Sequence, residues 1–329
     1  MYNLNKIFKG VVSVKEENGL IKLSRFTDKQ LETYKKISEE TTYKRAKSLA
    51  GVKMEFVTCE KKLSFDFVCD CFCREWLGFD VYENGILHKV DLRDGICEGG
   101  HFEYTVENEG NVKIEIYMMF SAGLFLKNLS FGEIEYVEEE KINYLALGDS
   151  ITQGMCTRSA SMSYPAILGR MYNLNVLNHG VGGYWFDKKS LDKELSFEPD
   201  IITVAYGIND AMMSFRNGND AAFVRDKAKE YLEELISIYP EADIKVIIPV
   251  WLAAEGEDEI LKAHINSVRE ALTGLCVDMN LYYIDGLALV PHDIHYYYDR
   301  PAVHPNDAGF LHYAMSLDNA FPGFFGKVM

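Results

Sequence analysis

From residue 144 onward, short apolar runs alternate with amphipathic stretches, and no other feature of this chain constrains its fold so tightly. YLALG (144–148), NVLN (175–178), IITVAYG (201–207), IKVIIPV (244–250) and LYYID (281–285) are too short and too uniformly apolar for one-sided strands. Between them, AAFVRDKAKEYLEELISIY (221–239) and EDEILKAHINSVREALTGL (257–275) carry helical periods. In the second, Leu261, Ile265, Val268, Leu272 and Leu275 recur at three- and four-residue spacing. Strands buried on both faces, joined by helices, predict a parallel sheet covered on each side.

The first 135 residues or so read differently. LSFDFVCDCFC (63–73) alternates, with Phe65, Phe67, Cys69, Cys71 and Cys73 on one face, and VKIEIYMMF (112–120) is a second strand. ENG (83–85) and RDG (93–95) place Asn-Gly and Asp-Gly turn signals between strand-like runs, which predicts an antiparallel β-sandwich. One helical stretch, 28–50, interrupts this half and includes some loop. The acidic EYVEEEKIN (135–143) lacks an apolar period and serves as the link. The expected division is 1–138 for a jelly-roll-like sandwich and 139–329 for the α/β domain.

Bulk properties exclude several partners. The formal net charge of −16, without a basic cluster, argues against nucleic acid and anionic membranes. No run approaches the ~18 apolar residues of a membrane span. The N-terminus has neither a long apolar run nor a small-residue cleavage site, so a cytoplasmic protein is expected, or a secreted one if a leader has been removed. Seven cysteines without a signal peptide read as free thiols. Cys-x-Cys-x-Cys on a strand spaces its sulfurs ~7 Å apart, too far for tetrahedral zinc, so no metal is expected. Nothing in the sequence sets an oligomeric state.

Ligands of open parallel sheets bind beyond the carboxyl ends of the strands. Four such ends carry small residues beside polar ones: LGDSITQG (147–154), NHGVGGYW (178–185), YGINDAM (206–212) and DRPAVHPND (299–307). Each has a plain reading. Gly148-Asp149-Ser150 suits a helix N-cap; the alternative is a nucleophilic Ser150 at a strand-to-helix turn. Thr152 replaces the second glycine of a Gly-x-Ser-x-Gly elbow. Gly180, Gly182 and Gly183 suit a tight turn, or a backbone N–H brought close to a substrate oxygen. Trp185 stands where a dinucleotide fingerprint needs a third glycine, and no Gly-Lys-Ser/Thr loop exists, so no nucleotide cofactor is expected. Asn209 suits a turn, or an amide donor to an oxyanion. His304 lies beyond a strand end between two prolines; His179 is a rival base, and His292 and His295 are weaker candidates.

Taken together these blocks resemble the SGNH (GDSL) hydrolase family, over residues ~142 to 320. LGDSITQG is similar to its first block, the glycine loop to its second, YGIND to its third and AVHPND to its fifth. AGVKMEFVT (50–58) and GFDVYENG (78–85) are similar to the β-sandwich that precedes some members and carries a Gly-x-Asp-Leu-Tyr motif, with Val81 in place of leucine. The resemblance implies a three-layer α/β/α, flavodoxin-like domain and a serine esterase that works without metal or cofactor. Its substrate would be a small-molecule or carbohydrate ester, acetylated carbohydrate included. Ser150 would be the nucleophile and His304 the base, with backbone N–H groups of Ser150 and Gly183 and the Asn209 amide as the oxyanion hole.

One departure stands out. The family's fifth block reads Asp-x-x-His, and Pro301 occupies the aspartate's place. Either Asp299 orients His304 from five residues upstream, or a backbone carbonyl or water does so and the enzyme works as a Ser–His dyad. Asp307 is expected to cap the last helix, a task for which Asn306 competes. Tyr184 and Trp185 are the candidate substrate-stacking rings; Phe186 and Tyr296 to Tyr298 crowd the same region. The alternative function is a carbohydrate-binding protein of the same fold that has lost catalysis, with Pro301 as the mark of that loss.

Overall fold

The computed structural model describes residues 2–137, 141–298 and 303–320. Its first eleven strands are β1 (Phe8–Lys9), β2 (Ser13–Glu17), β3 (Leu20–Ser24), β4 (Lys53–Thr58), β5 (Lys62–Phe72), β6 (Trp76–Glu83), β7 (Ile86–Asp94), β8 (Gly99–Thr105), β9 (Val112–Met118), β10 (Ala122–Ser130) and β11 (Ile134–Tyr136). They form two antiparallel sheets, one ordered β1-β4-β9-β6-β7 with β11 on β4, the other β2-β3-β10-β5-β8. Three helices accompany them: α1 (Leu4–Ile7), α2 (Asp28–Ile37) and α3 (Lys44–Lys47).

The alternation in β5 works as expected at its start. Leu63, Phe65 and Phe67 are buried, and Phe65 lies against Phe79 and Phe102 at ring-centroid distances of 5.2 and 4.8 Å. Each ring withdrawn from water contributes roughly 2–3 kcal/mol. Near Leu124 the register with β10 slips, so the cysteine face does not continue evenly: Cys71 is buried while Cys69 and Cys73 are half-buried. All seven cysteines are free.

Asn84 (φ 49°) and Gly85 (φ 82°) make the two-residue turn that joins β6 to β7. The Asp-Gly at 94–95 behaves otherwise. Its glycine ends β7, and the chain then enters the other sheet, where β8 pairs with β5. The stretch 28–50 is helical over most of its length, with Ser38 and 48–50 outside the helices. Thr27 and Gln30 form a capping box for α2, a π turn covers Glu39–Tyr43, and α3 follows.

The remaining elements are β12 (Asn143–Gly148), α4 (Ser150–Gln153), α5 (Tyr164–Met171), β13 (Asn175–Gly180), β14 (Ile201–Ala205), α6 (Ile208–Asn217), α7 (Ala221–Ile238), β15 (Asp243–Ile247), α8 (Glu259–Asp278), β16 (Tyr282–Ile284) and α9 (Asp307–Ala320). The strands run β13-β12-β14-β15-β16, the 2-1-3-4-5 order of flavodoxin-like sheets, and β12, β14, β15 and β16 pair in parallel. Helices α6, α7 and α8 pack on one another, and α5 packs on α9, two groups that suit a sheet covered on both faces. No helix among the described residues is long and apolar enough to cross a membrane.

The chain forms two compact units. One comprises Met1–Lys141 with Arg158–Ser161 and Asn175–Asn178, and the other contains the rest. Inside the first unit the Gly-x-Asp-x-Tyr stretch has a clear task. Buried Asp80 accepts hydrogen bonds from the Ser161 N–H (2.8 Å), the Ser161 hydroxyl (2.6 Å) and the Ser159 hydroxyl, and Tyr82 bonds to the Ser161 hydroxyl at 2.9 Å. The motif therefore holds the segment 158–161.

Candidate active site

Ser150 sits where β12 gives way to α4. Asp149 is the N-cap, its Oδ1 accepting from the Ile151 N–H at 2.9 Å, so the plain reading of Gly-Asp-Ser holds for the aspartate and leaves the serine hydroxyl for other work. That hydroxyl lies 2.9 Å from His304 Nε2, across 154 positions of sequence. The histidine's loop is tied down on several sides. Tyr298 donates its N–H to the His304 carbonyl at 3.0 Å, and Tyr297 forms a β-bridge with Pro305. The Asn306 amide donates to the His295 carbonyl at 2.8 Å. Asn306 also caps α9 by accepting from the Gly309 N–H at 3.0 Å, a correction to the expectation for Asp307, which is the helix's first residue. Asp299 and Pro301 lie outside the described residues.

The other two blocks converge on the same edge of the sheet. The Val181 N–H reaches the Gly148 carbonyl at 3.0 Å, and the Gly182 N–H reaches Gln153 Oε1 at 2.7 Å. Gly180 passes so close to α4 that a Cβ there would stand 2.2 Å from the Gln153 nitrogen. Gly183 takes φ 75° in the turn closed by the Tyr184 N–H on the Val181 carbonyl. Asn209, in the first turn of α6, donates its amide to the Tyr184 carbonyl (2.9 Å) and to Asp149 Oδ2 (3.2 Å). The amide thus ties three blocks together, and the longer of its two bonds goes to Asp149.

Two buried carboxylates flank this arrangement. Burial pushes Asp149 up to about 6, against the opposing pull of the Ile151 N–H and the His304 imidazole. Burial pushes Asp210 up to about 7, although the Phe186 N–H donates to its Oδ1 at 3.2 Å. Among the described residues Asp210 Oδ2 has no hydrogen-bond partner. Sequence reasoning treated Asp149 only as a cap and did not single out Asp210. Neither spacing nor residue type signals that burial would bring both together.

The aromatic expectations divide. Tyr184 is a correction: its side chain is fully buried, stacks on Trp185 at 5.0 Å and donates its hydroxyl to Asp187 Oδ2 at 3.0 Å. It supports the loop and offers no open face. Trp185 is half-buried and keeps one. Phe186 and Tyr297 are buried, whereas Tyr298 is 47% exposed. Of the rival histidines, His179 is buried in β13, His292 stacks on Trp251, and His295 pairs with Asp293 on the surface. No group of three His, Cys, Asp or Glu side chains among the described residues is placed to hold a metal.

The carboxyl edge of the 2-1-3-4-5 sheet thus brings Ser150 and His304 together. The model of the GDSL-like Lipase/Acylhydrolase family matches residues 146–310, half of the chain. The chain belongs to that family and is an ester-bond hydrolase. No curated protein matches it. Among solved structures, the salicylyl-acyltransferase SsfX3 from a tetracycline biosynthetic pathway aligns with a TM-score of 0.79 at 18% identity, covering 95% of this chain and 92% of that one. A protein from Bacteroides ovatus described as GDSL-like lipase aligns at 0.76 and 17%, covering 98% and 96%. A family two carbohydrate esterase from Clostridium thermocellum, solved with cellohexaose, aligns at 0.60 and 16%, covering 83% and 92%.

Proposed function

We propose that the protein is a serine esterase that deacylates carbohydrates through an acyl-enzyme on Ser150. The observation that carries this reading is the 2.9 Å contact between Ser150 Oγ and His304 Nε2. His304 accepts the hydroxyl proton as Ser150 attacks the ester carbonyl. It returns that proton to the leaving alcohol, then draws one from water to release the acid. Backbone N–H groups of Ser150 and Gly183 receive the oxyanion, and the Asn209 amide joins them by exchanging its 3.2 Å bond to Asp149 for one to the substrate. Carbohydrate is favoured as the alcohol because structures of the same fold include the Clostridium thermocellum esterase with cellohexaose and an acetyl xylan esterase from Butyrivibrio proteoclasticus.

Fluorophosphonate labelling tests the reading directly. Wild type is expected to label on Ser150 and Ser150→Ala to stay unlabelled. A folded wild type that resists the probe and leaves acetylated xylan intact would favour the non-catalytic, carbohydrate-binding alternative. For the orienting group, Asp299→Asn is the test. A loss of about 10³-fold or more in kcat/KM assigns the acid to Asp299, and a change within a few-fold assigns a dyad.

A further inference from the structure

The first unit holds a concave site that the catalytic reading leaves unused. A groove of about 340 Å³ opens between α2, the π turn and the strands β2, β3, β5 and β10. That volume falls at the low end of the ~300–1,000 Å³ usual for small-molecule sites. Its charges are paired within the wall: Lys15 with Asp28 (3.5 Å), Lys22 with Glu17 (2.5 Å), and Lys47 with Asp70. Three cations against three carboxylates leave little net charge to select an ionic ligand.

What the groove does offer is a dense set of donors and acceptors beside two aromatic rings. Phe125 and Tyr43 line it, and both are half-buried. Their faces are covered by lysine side chains. Lys22 Nζ lies 5.7 Å from the Phe125 ring centre, and Lys47 Nζ lies 5.2 Å from that of Tyr43. Lys35 Nζ also lies 5.5 Å from the Tyr43 ring centre, and Lys47 is held by Asp70, whereas the solvent-screened Lys22 contact is weak and yields to a ligand that stacks on Phe125. Gly123 lets the β10 floor pack closely on the wall, since a Cβ there would stand 2.9 Å from Cys71 Sγ and 3.0 Å from the Lys47 carbonyl oxygen.

A neutral saccharide matches this surface. Its C–H faces stack on aromatic rings, and its hydroxyls both donate and accept, as the alternating ammonium and carboxylate groups require. We propose that the groove is a carbohydrate-binding site for one or two units of a neutral polysaccharide, located in the first unit and not in the catalytic one. The proposal rests on the carbohydrate reading of the substrate and adds a second place where the chain is held.

Calorimetry on the full-length protein with unacetylated xylohexaose and cellohexaose tests it. Wild type is expected to bind at least one of them. The double variant Tyr43→Ala/Phe125→Ala is expected to weaken binding tenfold or more while p-nitrophenyl acetate turnover stays within twofold. Because that variant trims packed rings, Asp70→Asn is the second probe, expected to weaken binding several-fold without touching an aromatic. Absence of binding by wild type at millimolar oligosaccharide, or binding unchanged in both variants, overturns the proposal; unchanged binding would place the sugar elsewhere. Saccharide binding in a protein without esterase turnover would sink the catalytic reading alone, and turnover without groove binding would sink this one alone.

Discussion

Two buried carboxylates of the first unit, Glu55 and Glu83, contrast with two beside Ser150 in the second, Asp149 and Asp210. In the first, burial alone would raise Glu55, but Lys53 (3.2 Å), Lys113 (3.1 Å) and Lys141 (3.0 Å) hold it down to about 2. Glu83, also buried, accepts from the Tyr104 hydroxyl (2.6 Å) and the N–H groups of Glu107 (2.8 Å) and Asn108 (2.9 Å), and stays below the usual range. In the second unit, Asp149 and Asp210 have few partners and are pushed up to about 6 and about 7. Glu55 and Glu83, which support the fold, are well partnered. Those beside Ser150 are left short of partners, the pattern expected where a site must keep donors for a reacting oxygen.

The largest expected effect cuts at the catalytic side of that contrast. Ser150→Ala should lower p-nitrophenyl acetate turnover by about 10³-fold or more with the fold intact, as read by circular dichroism and kinetics. Turnover near the wild-type rate would remove Ser150 from the mechanism.

Next comes the well-partnered carboxylate. Glu55→Ala leaves three lysine ammonium groups facing a void and should cost about 3–5 kcal/mol of stability in urea denaturation at pH 7. Wild type should show the matching pH dependence. A depressed native pKa contributes stability above the unfolded value near 4.5, and that contribution fades as pH falls toward 2. A loss under about 1 kcal/mol would mean the cluster is surface-like.

For the carboxylates near Ser150 the sign reverses. Their native pKa values lie above the unfolded value of 3.8, so they favour the fold while protonated, and that advantage disappears as pH rises from about 4 to about 7. Asp210→Asn should therefore raise stability at pH 8 by about 2 kcal/mol and do far less at pH 4. Denaturation at both pH values reads the difference, and parallel shifts would break the comparison. The smallest effect is expected at Trp185, the ring with an open face. Trp185→Ala should raise KM for acetylated xylo-oligosaccharides several-fold, roughly 1 kcal/mol, and leave p-nitrophenyl acetate kcat within twofold.

Much of this architecture was legible because it follows from periodicity. The apolar runs became β12 to β16, since strands of a parallel sheet covered by helices favour apolar side chains; the edge strand β16 is the exception, with Tyr282 and Tyr283 exposed. The Asn84-Gly85 turn was equally readable, because few residue pairs accept two positive φ angles in succession. The Asp94-Gly95 signal misled in one respect: it marks a chain reversal but not which strand comes next, and β8 joined the other sheet. Asn306 rather than Asp307 capped α9 because the helix begins at Asp307, one residue earlier than a cap at that position requires.

At the site, residue types and strand ends brought Ser150, the glycines of 180–183, Asn209 and His304 forward with plainer readings beside them, and the resemblance to the SGNH family gave them their roles. Distance and burial belong to the tertiary structure alone. Only the folded chain brings His304 Nε2 within 2.9 Å of a hydroxyl 154 positions away, turns Tyr184 inward while leaving Trp185 a free face, and ties the Asn209 amide to Asp149. The physical reason is that local propensity acts over a few residues, whereas contact, desolvation and charge coupling depend on groups that meet only when the sheet has formed.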